Sequence, residues 1–482
     1  MKKTIYMIGL AVAVSVIAQD KTAKKLAKTI TAADLKEHLL ILASNEYEGR
    51  ETGKKGQKMA AKYIAKHFEQ LGFEAPVDGS YYQTFNLQES QIGNVYFRKG
   101  KDKKAGFKDF IYYSRSETIG EEYIRIVIAA EDDANIKSYN KAYVTFISNR
   151  FEGVQERVEN ASKAGAEGFI VVIKDDSEYN SFQSRIGNYM KRPSLALDEN
   201  SRLVNKMVII GKEMLSWLFD KPFEEINAGD ESVVIFNADY LRKPIETENV
   251  LGYLKGTEKP EELLVITSHY DHIGIINGEI NNGADDDGSG TVSVLEIAEA
   301  FAKAAKTGNG PKRSVLFMTV TGEEKGLLGS RYYTDTDPIF PIENTVANLN
   351  IDMVGRIDDT HKSNPNYVYL IGSDKLSQDL HELSEQVNEN YVNLELDYTY
   401  NDENDPNRFY YRSDHYNFAK NNVPIIFYFN GTHEDYHKPS DTVNKIDFDT
   451  MEKRARLIFH TGWEIVNRDE RIAIDKMEAK IE

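Results

Sequence analysis

The chain has 482 residues, 41% hydrophobic and 28% charged, a balance that can bury a large core and suggests two or three domains. Its formal net charge of −18 argues against a nucleic-acid binder, which needs a basic face for phosphates. It has no cysteine, which excludes thiol catalysis, disulfides, cysteine zinc sites and a lipidated cysteine near its start. Any metal must then be held by His, Asp and Glu.

In chain order, Lys2 and Lys3 precede an apolar run, Ile5 to Ile17, that closes on Val16-Ile17-Ala18. This predicts a signal peptide over 1–18, cut after Ala18 or Gln19, and export to the periplasm or beyond the cell. The run is short of the ~20 residues that span a bilayer, and no later segment is apolar enough to cross one. Residues 31–72 read as two helices. Thr31 or Asp34 caps the first, Ala60, Ile64, Phe68 and Leu71 share a face of the second, and Gly72 ends it. Between them, Asn45 to Gly53 has loop chemistry. Short β-rich runs follow at Tyr123–Ala130, Tyr143–Ser148 and Phe169–Lys174, with one helix near Phe151–Ala164. This stretch holds no histidine. From Glu246 onward strands alternate with helices. Strands are expected at Leu263–Ser268, Ser314–Thr321, Val346–Ile351, Tyr367–Ile371 and Val423–Phe429, with a helix after Ser289 and a last one at Phe448–Asn467. That alternation predicts an α/β fold with a central sheet covered on both faces by helices. The expected layout is one discontinuous domain, 31–115 and 245–470, with an inserted β-rich domain at 120–240.

The polar residues sit at informative places on these elements. His269 lies just past strand 263–268, in His269-Tyr-Asp271-His272. Asp285-Asp286-Asp287 opens a helix, Glu323-Glu324 follows strand 314–321, Asp352 follows strand 346–351, and His437 follows strand 423–429. Ligands in open α/β sheets bind at the carboxyl ends of strands, so these groups can converge. Zinc accepts imidazole nitrogen and carboxylate oxygen, and clustered carboxylates repel unless a cation stands between them. Two zinc ions need about four terminal ligands and one bridging carboxylate. His269, Glu324, Asp352 and His437 can be the terminal set, one of the three aspartates the bridge, and Glu323 a free base. Taken singly, each has an ordinary reading as a helix cap, a surface pair or a packed histidine; jointly they do not.

Two apparent motifs fail. His433-Glu-Asp-Tyr-His437 fits the one-zinc HExxH pattern, but Gly431 and Pro439 deny it the helix that would put both histidines on one face. Gly288-Ser-Gly290 lacks the GxSxG frame of a serine-hydrolase elbow. His272 and His415 read as supporting residues, and His38, His67, His361, His381 and His460 as surface or packing residues.

Five ordered blocks over about 175 residues resemble the M28 zinc peptidases, which include bacterial aminopeptidases and glutamate carboxypeptidases. They are Ser268-His-Tyr-Asp-His272, Asn282-Gly-Ala-Asp-Asp-Asp-Gly-Ser-Gly290, Thr321-Gly-Glu-Glu-Lys-Gly-Leu-Leu-Gly-Ser330, Asn350-Ile-Asp-Met353 and Tyr436-His-Lys-Pro-Ser-Asp-Thr442. Glu48-Gly-Arg-Glu-Thr-Gly53 extends the likeness toward the N-terminus. Residues Ala161 to Ile170 resemble a protease-associated (PA) domain. The resemblance implies two zinc ions, one on His269 and Asp352, the other on Glu324 and His437, bridged by Asp286 across a cis Asp286–Asp287 bond. It further implies Glu323 as general base, Tyr410 as an oxyanion-side donor beside Tyr411, and Asp271 accepting the other ring N–H of His269. The implied activity is exopeptidase action on peptides with a free N-terminus. A glutamate carboxypeptidase-like activity is the alternative, with Arg356, Arg408 or Arg412 as the candidates to hold a substrate carboxylate. A one-zinc glutaminyl cyclase fits less well because His269 is retained, and a non-catalytic receptor scaffold fits less well because all five ligands are. Manganese or cobalt could replace zinc in such a donor set.

Overall fold

The computed structural model describes residues 20–114, 118–130, 138–149, 153–197 and 206–476. The expected signal peptide lies outside them. The chain divides into two compact units, residues 1–85 with 246–482, and residues 86–245. The division falls after Phe85, so residues 86–115, expected with the larger domain, belong to the insert.

The larger unit is built on a mixed sheet. Its strand order is Glu395–Asp397, Tyr367–Ile371, Ile425–Phe429, Thr345–Ile351, Lys259–His269, Arg313–Val320, then residues 250–254. The four strands Ile425–Phe429, Thr345–Ile351, Lys259–His269 and Arg313–Val320 run parallel, so their carboxyl ends share one edge. Antiparallel neighbours flank them. Because successive side chains alternate across a strand, Leu264 and Ile266 join one buried cluster while Leu263 and Val265 join another. The first face is packed by the helices Ala32–Leu42, Lys55–Leu71, Gly290–Lys306 and Phe448–Asn467, through Leu39, Ile64, Phe301 and Trp463. The second face is covered by shorter pieces, including His415–Ala419, through Phe418 and Tyr333. Strands buried on both sides are continuously apolar, which is how they read in the sequence. Thr31 caps the first of these helices by accepting from the Asp34 N–H, and Gly72, in the left-handed region, ends the second.

The insert has its own core. Ile119–Ile128, Tyr143–Ser148, Gly168–Ile173 and Met207–Ile210 form a parallel set bordered by antiparallel partners. Tyr82–Lys99 pairs with Asp102–Ala105 and Ser194–Ala196. Three helices accompany these strands, Val154–Lys163, Asp176–Lys191 and Lys212–Phe219, where the sequence reading expects one. The insert therefore carries more helix than its sequence reading expects, while strand residues still predominate. Among the described residues no helix is long and apolar enough to cross a membrane.

Candidate active site

The carboxyl ends of the four parallel strands deliver most of the chemistry. His269 is the last residue of its strand. Glu323 and Glu324 occupy a turn, Glu323–Lys325, that begins after Gly322 in the left-handed region. Asp352 directly follows Thr345–Ile351, and His437 lies in a turn beyond Ile425–Phe429. The aspartate triplet fills the loop entering the helix Gly290–Lys306, and its Asp286–Asp287 bond is cis.

These side chains meet. His269 Nε2 lies 3.4 Å from Asp286 Oδ1, 3.6 Å from Asp352 Oδ1 and 3.8 Å from Glu323 Oε2. On the other side of Asp286, His437 Nε2 is 3.0 Å from Asp286 Oδ2 and 3.1 Å from Glu324 Oε2. Asp286 thus faces both groups, one oxygen to each. His272 Nδ1 also reaches this side, 2.7 Å from Glu324 Oε1 and 3.7 Å from Asp286 Oδ2. Asp286, Glu324 and both His272 nitrogens nevertheless leave buried atoms outside any hydrogen bond, the 2.7 Å contact lacking the direction of one. A set of buried imidazole and carboxylate atoms converging without hydrogen bonds fits a bound divalent metal, and zinc suits these donors.

The electrostatics follow from the crowding. Burial pushes the Asp286 carboxyl up, but His272, His269 and His437 together hold it well below the usual range. Burial and the charge on Asp286 likewise oppose ionisation of Glu324, yet His272 and His437 carry it down to about 2. Glu323 goes the other way. Burial, with Glu324, Asp352 and Asp414 nearby, raises it well above an ordinary glutamate despite His269. Two adjacent glutamates are thereby split, one a firm anion and the other ready to hold a proton.

Backbone geometry fixes the cluster. Asp287 accepts from the backbone N–H groups of His269, Gly290 and Met353, tying three loops together. Gly290 is required there, since an added Cβ would lie 2.3 Å from Asp287 Oδ1. Asp441 accepts from the Asp285 and Asp286 N–H groups. The buried Arg50 donates to the carbonyls of Leu42, Tyr270, Asn282 and Gly283 at 2.7–2.9 Å. Thr52 donates to Asp271 Oδ2 at 2.7 Å. The Glu48–Gly53 block is in this way a brace beneath the metal-facing loops.

All five ligand candidates, His269, Asp286, Glu324, Asp352 and His437, are gathered with Glu323. Asp271 is placed differently from expectation. His269 Nδ1 meets the Asp271 backbone carbonyl at 3.1 Å, while its carboxylate stands 3.9 Å away and accepts from Thr52 and the Glu323 N–H. The carbonyl is the closer partner because the carboxylate is already committed. Tyr410 is buried in an aromatic cluster with Tyr411, Tyr416 and His415. The cavity beside the ligands is lined instead by Tyr436, with Phe409, Arg412, Phe427, Phe429 and Thr432. Tyr436 stacks on His437 with centroids 3.9 Å apart. His433 binds Asp285 Oδ2 at 3.1 Å and lies in a turn, so His433 and His437 share no helix. The sequence signals for His272 and Tyr436 were their neighbours: each stands within three residues of a ligand candidate.

Residues 249–462 match the sequence model of Peptidase family M28. Curated relatives include a probable zinc metalloprotease of Pyrenophora tritici-repentis, 38% identical over 119 residues, covering 23% of this chain and 23% of that protein. A probable glutamate carboxypeptidase of Arabidopsis thaliana is 30% identical over 120 residues, covering 24% of this chain and 17% of that one. The matched segments span about a quarter or less of these relatives' lengths. The fold resembles that of an aminopeptidase from Aneurinibacillus sp. strain AM-1, with TM-score 0.56, 18% identity, and coverage of 95% of this chain and 98% of that one. It also resembles a zinc aminopeptidase from Bacillus subtilis, with TM-score 0.52, 17% identity, and coverage of 93% and 98%.

Proposed function

We propose that the chain is an exported two-zinc exopeptidase that removes N-terminal residues from peptides. The observation that carries this reading is Asp286, which presents one carboxylate oxygen to His269 and the other to His437. His269 and Asp352 would hold one ion, Glu324 and His437 the other, with Asp286 between them; His272, beside Glu324, would support the second. Bound zinc supplies Lewis acidity and lowers the pKa of water from 15.7 toward about 7.

The remaining steps belong to the chain's own residues. Glu323, on its carboxylate, takes the proton of the attacking water and returns it to the leaving amine. Its raised proton affinity suits both roles. A tyrosine hydroxyl donates to the substrate carbonyl oxygen as charge develops there. Tyr436, which lines the cavity, takes this role ahead of Tyr410. The phenylalanines of the cavity exclude water and receive an apolar side chain. The surplus of carboxylates favours a substrate α-ammonium group.

One observation favours a second reading. Arg412 lines the cavity, whereas Arg356 is paired to Asp435. A cavity arginine, here over the Phe409 ring, suits a substrate carboxylate, as a glutamate carboxypeptidase-like enzyme needs. Export rests on the sequence of residues 1–18, and the PA-like reading of the insert on residues 161–170. Glu323→Gln tests the mechanism: it should retain metal and lose turnover by at least ~10²-fold. Aminoacyl-nitroanilides compared with N-blocked peptides test the substrate class. Activity on the blocked peptides alone would overturn the aminopeptidase reading.

A further inference from the structure

The geometry points to a further divalent-cation site of zinc type, formed by His38, His67 and Glu299 on three helices of the larger unit, with Glu296 beside His38. His38 stands on Ala32–Leu42, His67 on Lys55–Leu71, and the two glutamates one turn apart on Gly290–Lys306. His38 Nε2 lies 3.5 Å from Glu296 Oε1 and 3.9 Å from Glu299 Oε1, and His67 Nε2 lies 3.5 Å from the same Glu299 oxygen.

These separations are too long for N–H···O hydrogen bonds, which lie near 2.7–3.2 Å. They are close to the edge of a tetrahedron with metal–ligand bonds of about 2.0–2.1 Å, roughly 3.3 Å. The second ring nitrogens are already engaged. His38 Nδ1 is 2.6 Å from the Tyr63 hydroxyl, and the His67 ring bonds the Leu295 carbonyl. An imidazole held this way is oriented to present its other nitrogen to a metal.

Burial supplies the independent observation. Glu296 is 1% exposed, and neither of its carboxylate oxygens has a hydrogen-bond partner, nor does His67 Nε2. A carboxylate left so would be costly without a cation beside it. A protonated His38 has one N–H to offer on this side and leaves His67 unserved. The cluster opens on a cleft of about 570 Å³, through which an ion can enter; on its wall Asp34 and Glu37 are matched by Lys66 and Lys303. A donor set of two imidazoles and one carboxylate, without sulfur and with a second carboxylate alongside, favours a zinc-class ion over calcium or magnesium. An ion there would clamp the first two helices to the helix that begins at the aspartate loop.

The test is zinc content after dialysis of the full chain from a slight excess of Zn2+, comparing wild type with Glu299→Gln and His67→Phe. Each variant should lose one zinc per chain whatever the number held at the strand ends, and Co2+ loading should lose a matching share of its visible absorption. Equal stoichiometry in wild type and a variant that retains its circular dichroism overturns the proposal. Wild type alone provides a second measurement: Zn2+ should slow carbethoxylation of His38 and His67 by diethyl pyrocarbonate, read by peptide mass. Unchanged modification of both residues in the presence of Zn2+ also overturns it.

Discussion

Two histidine–carboxylate clusters lie in the larger unit, and they are assembled by different means. The strand-end cluster draws its members from five segments between residues 269 and 437, brought together by parallel strands that share an edge. Its positions are fixed by backbone donors, as at Asp287, and by the Arg50 brace. The helix-face cluster draws on three packed helices, with no loop and no backbone donor on Glu296. The first is held by a network that was paid for in buried polar groups; the second needs only that three amphipathic helices pack in register. A site for chemistry must fix its ligands against the reaction, whereas a clamp only has to be filled.

The sharpest attack on this contrast is Asp286→Asn. On the proposed two-zinc reading, in which Asp286 is shared, this should cost at least ~10³-fold in turnover. Zinc at the helix-face cluster should persist, which zinc analysis checks. If both were lost together, the clusters would be one coupled system.

Arg50→Met comes next and probes the brace. It removes the donors to four buried carbonyls, and should destabilise the fold by about 3–5 kcal/mol in urea unfolding. Little change would mean that the metal-facing loops hold themselves.

His460 calibrates a histidine that belongs to neither cluster. It is buried against Tyr391, and burial, with Lys24 and Arg456 nearby, lowers it to about 4. The unfolded chain takes up this proton near pH 6.5, and the folded chain only near 4. Stability from this residue is therefore intact above pH 6.5 and declines as pH falls toward 4, by at most about 3 kcal/mol. Replacement by Phe, which keeps the stack, should flatten that part of the pH–stability curve.

The smallest effect tests the helix carrying His38. Thr31→Ala removes the side chain that accepts from the Asp34 N–H and should cost about 1 kcal/mol in thermal unfolding. A larger loss would show that the helix-face cluster leans on that cap.

The same contrast explains what could be read in advance. The strand-end cluster was legible because its polar residues interrupt apolar strand patterns at their ends, in order, where a buried sheet tolerates them only for chemistry. His38, His67, Glu296 and Glu299 sit instead at ordinary positions of amphipathic helices, and nothing local says that three helices aim them at one point. His272 reads as a supporting residue, because a second histidine beside a ligand ordinarily has that role. In the insert, Asp176–Lys191 begins with Asp, Ser, Glu, Tyr and Asn, too polar to mark a buried face. Lys212–Phe219 is a short, mostly apolar run, which periodicity cannot separate from a strand. Tyr410 and Tyr436 illustrate the same limit, since which tyrosine faces the cavity depends on the turn Phe409–Tyr411 packing inward.

The brace at Arg50 also sets a timetable. Its carbonyl partners at Tyr270, Asn282 and Gly283 lie 220 to 233 residues further along the chain. At ribosomal rates of about 5–20 residues per second, this guanidinium waits roughly 10–50 s for them to be made. The opening helices therefore cannot complete their final packing during early translation, and a chaperone that shelters the nascent segment has a long window in which to act.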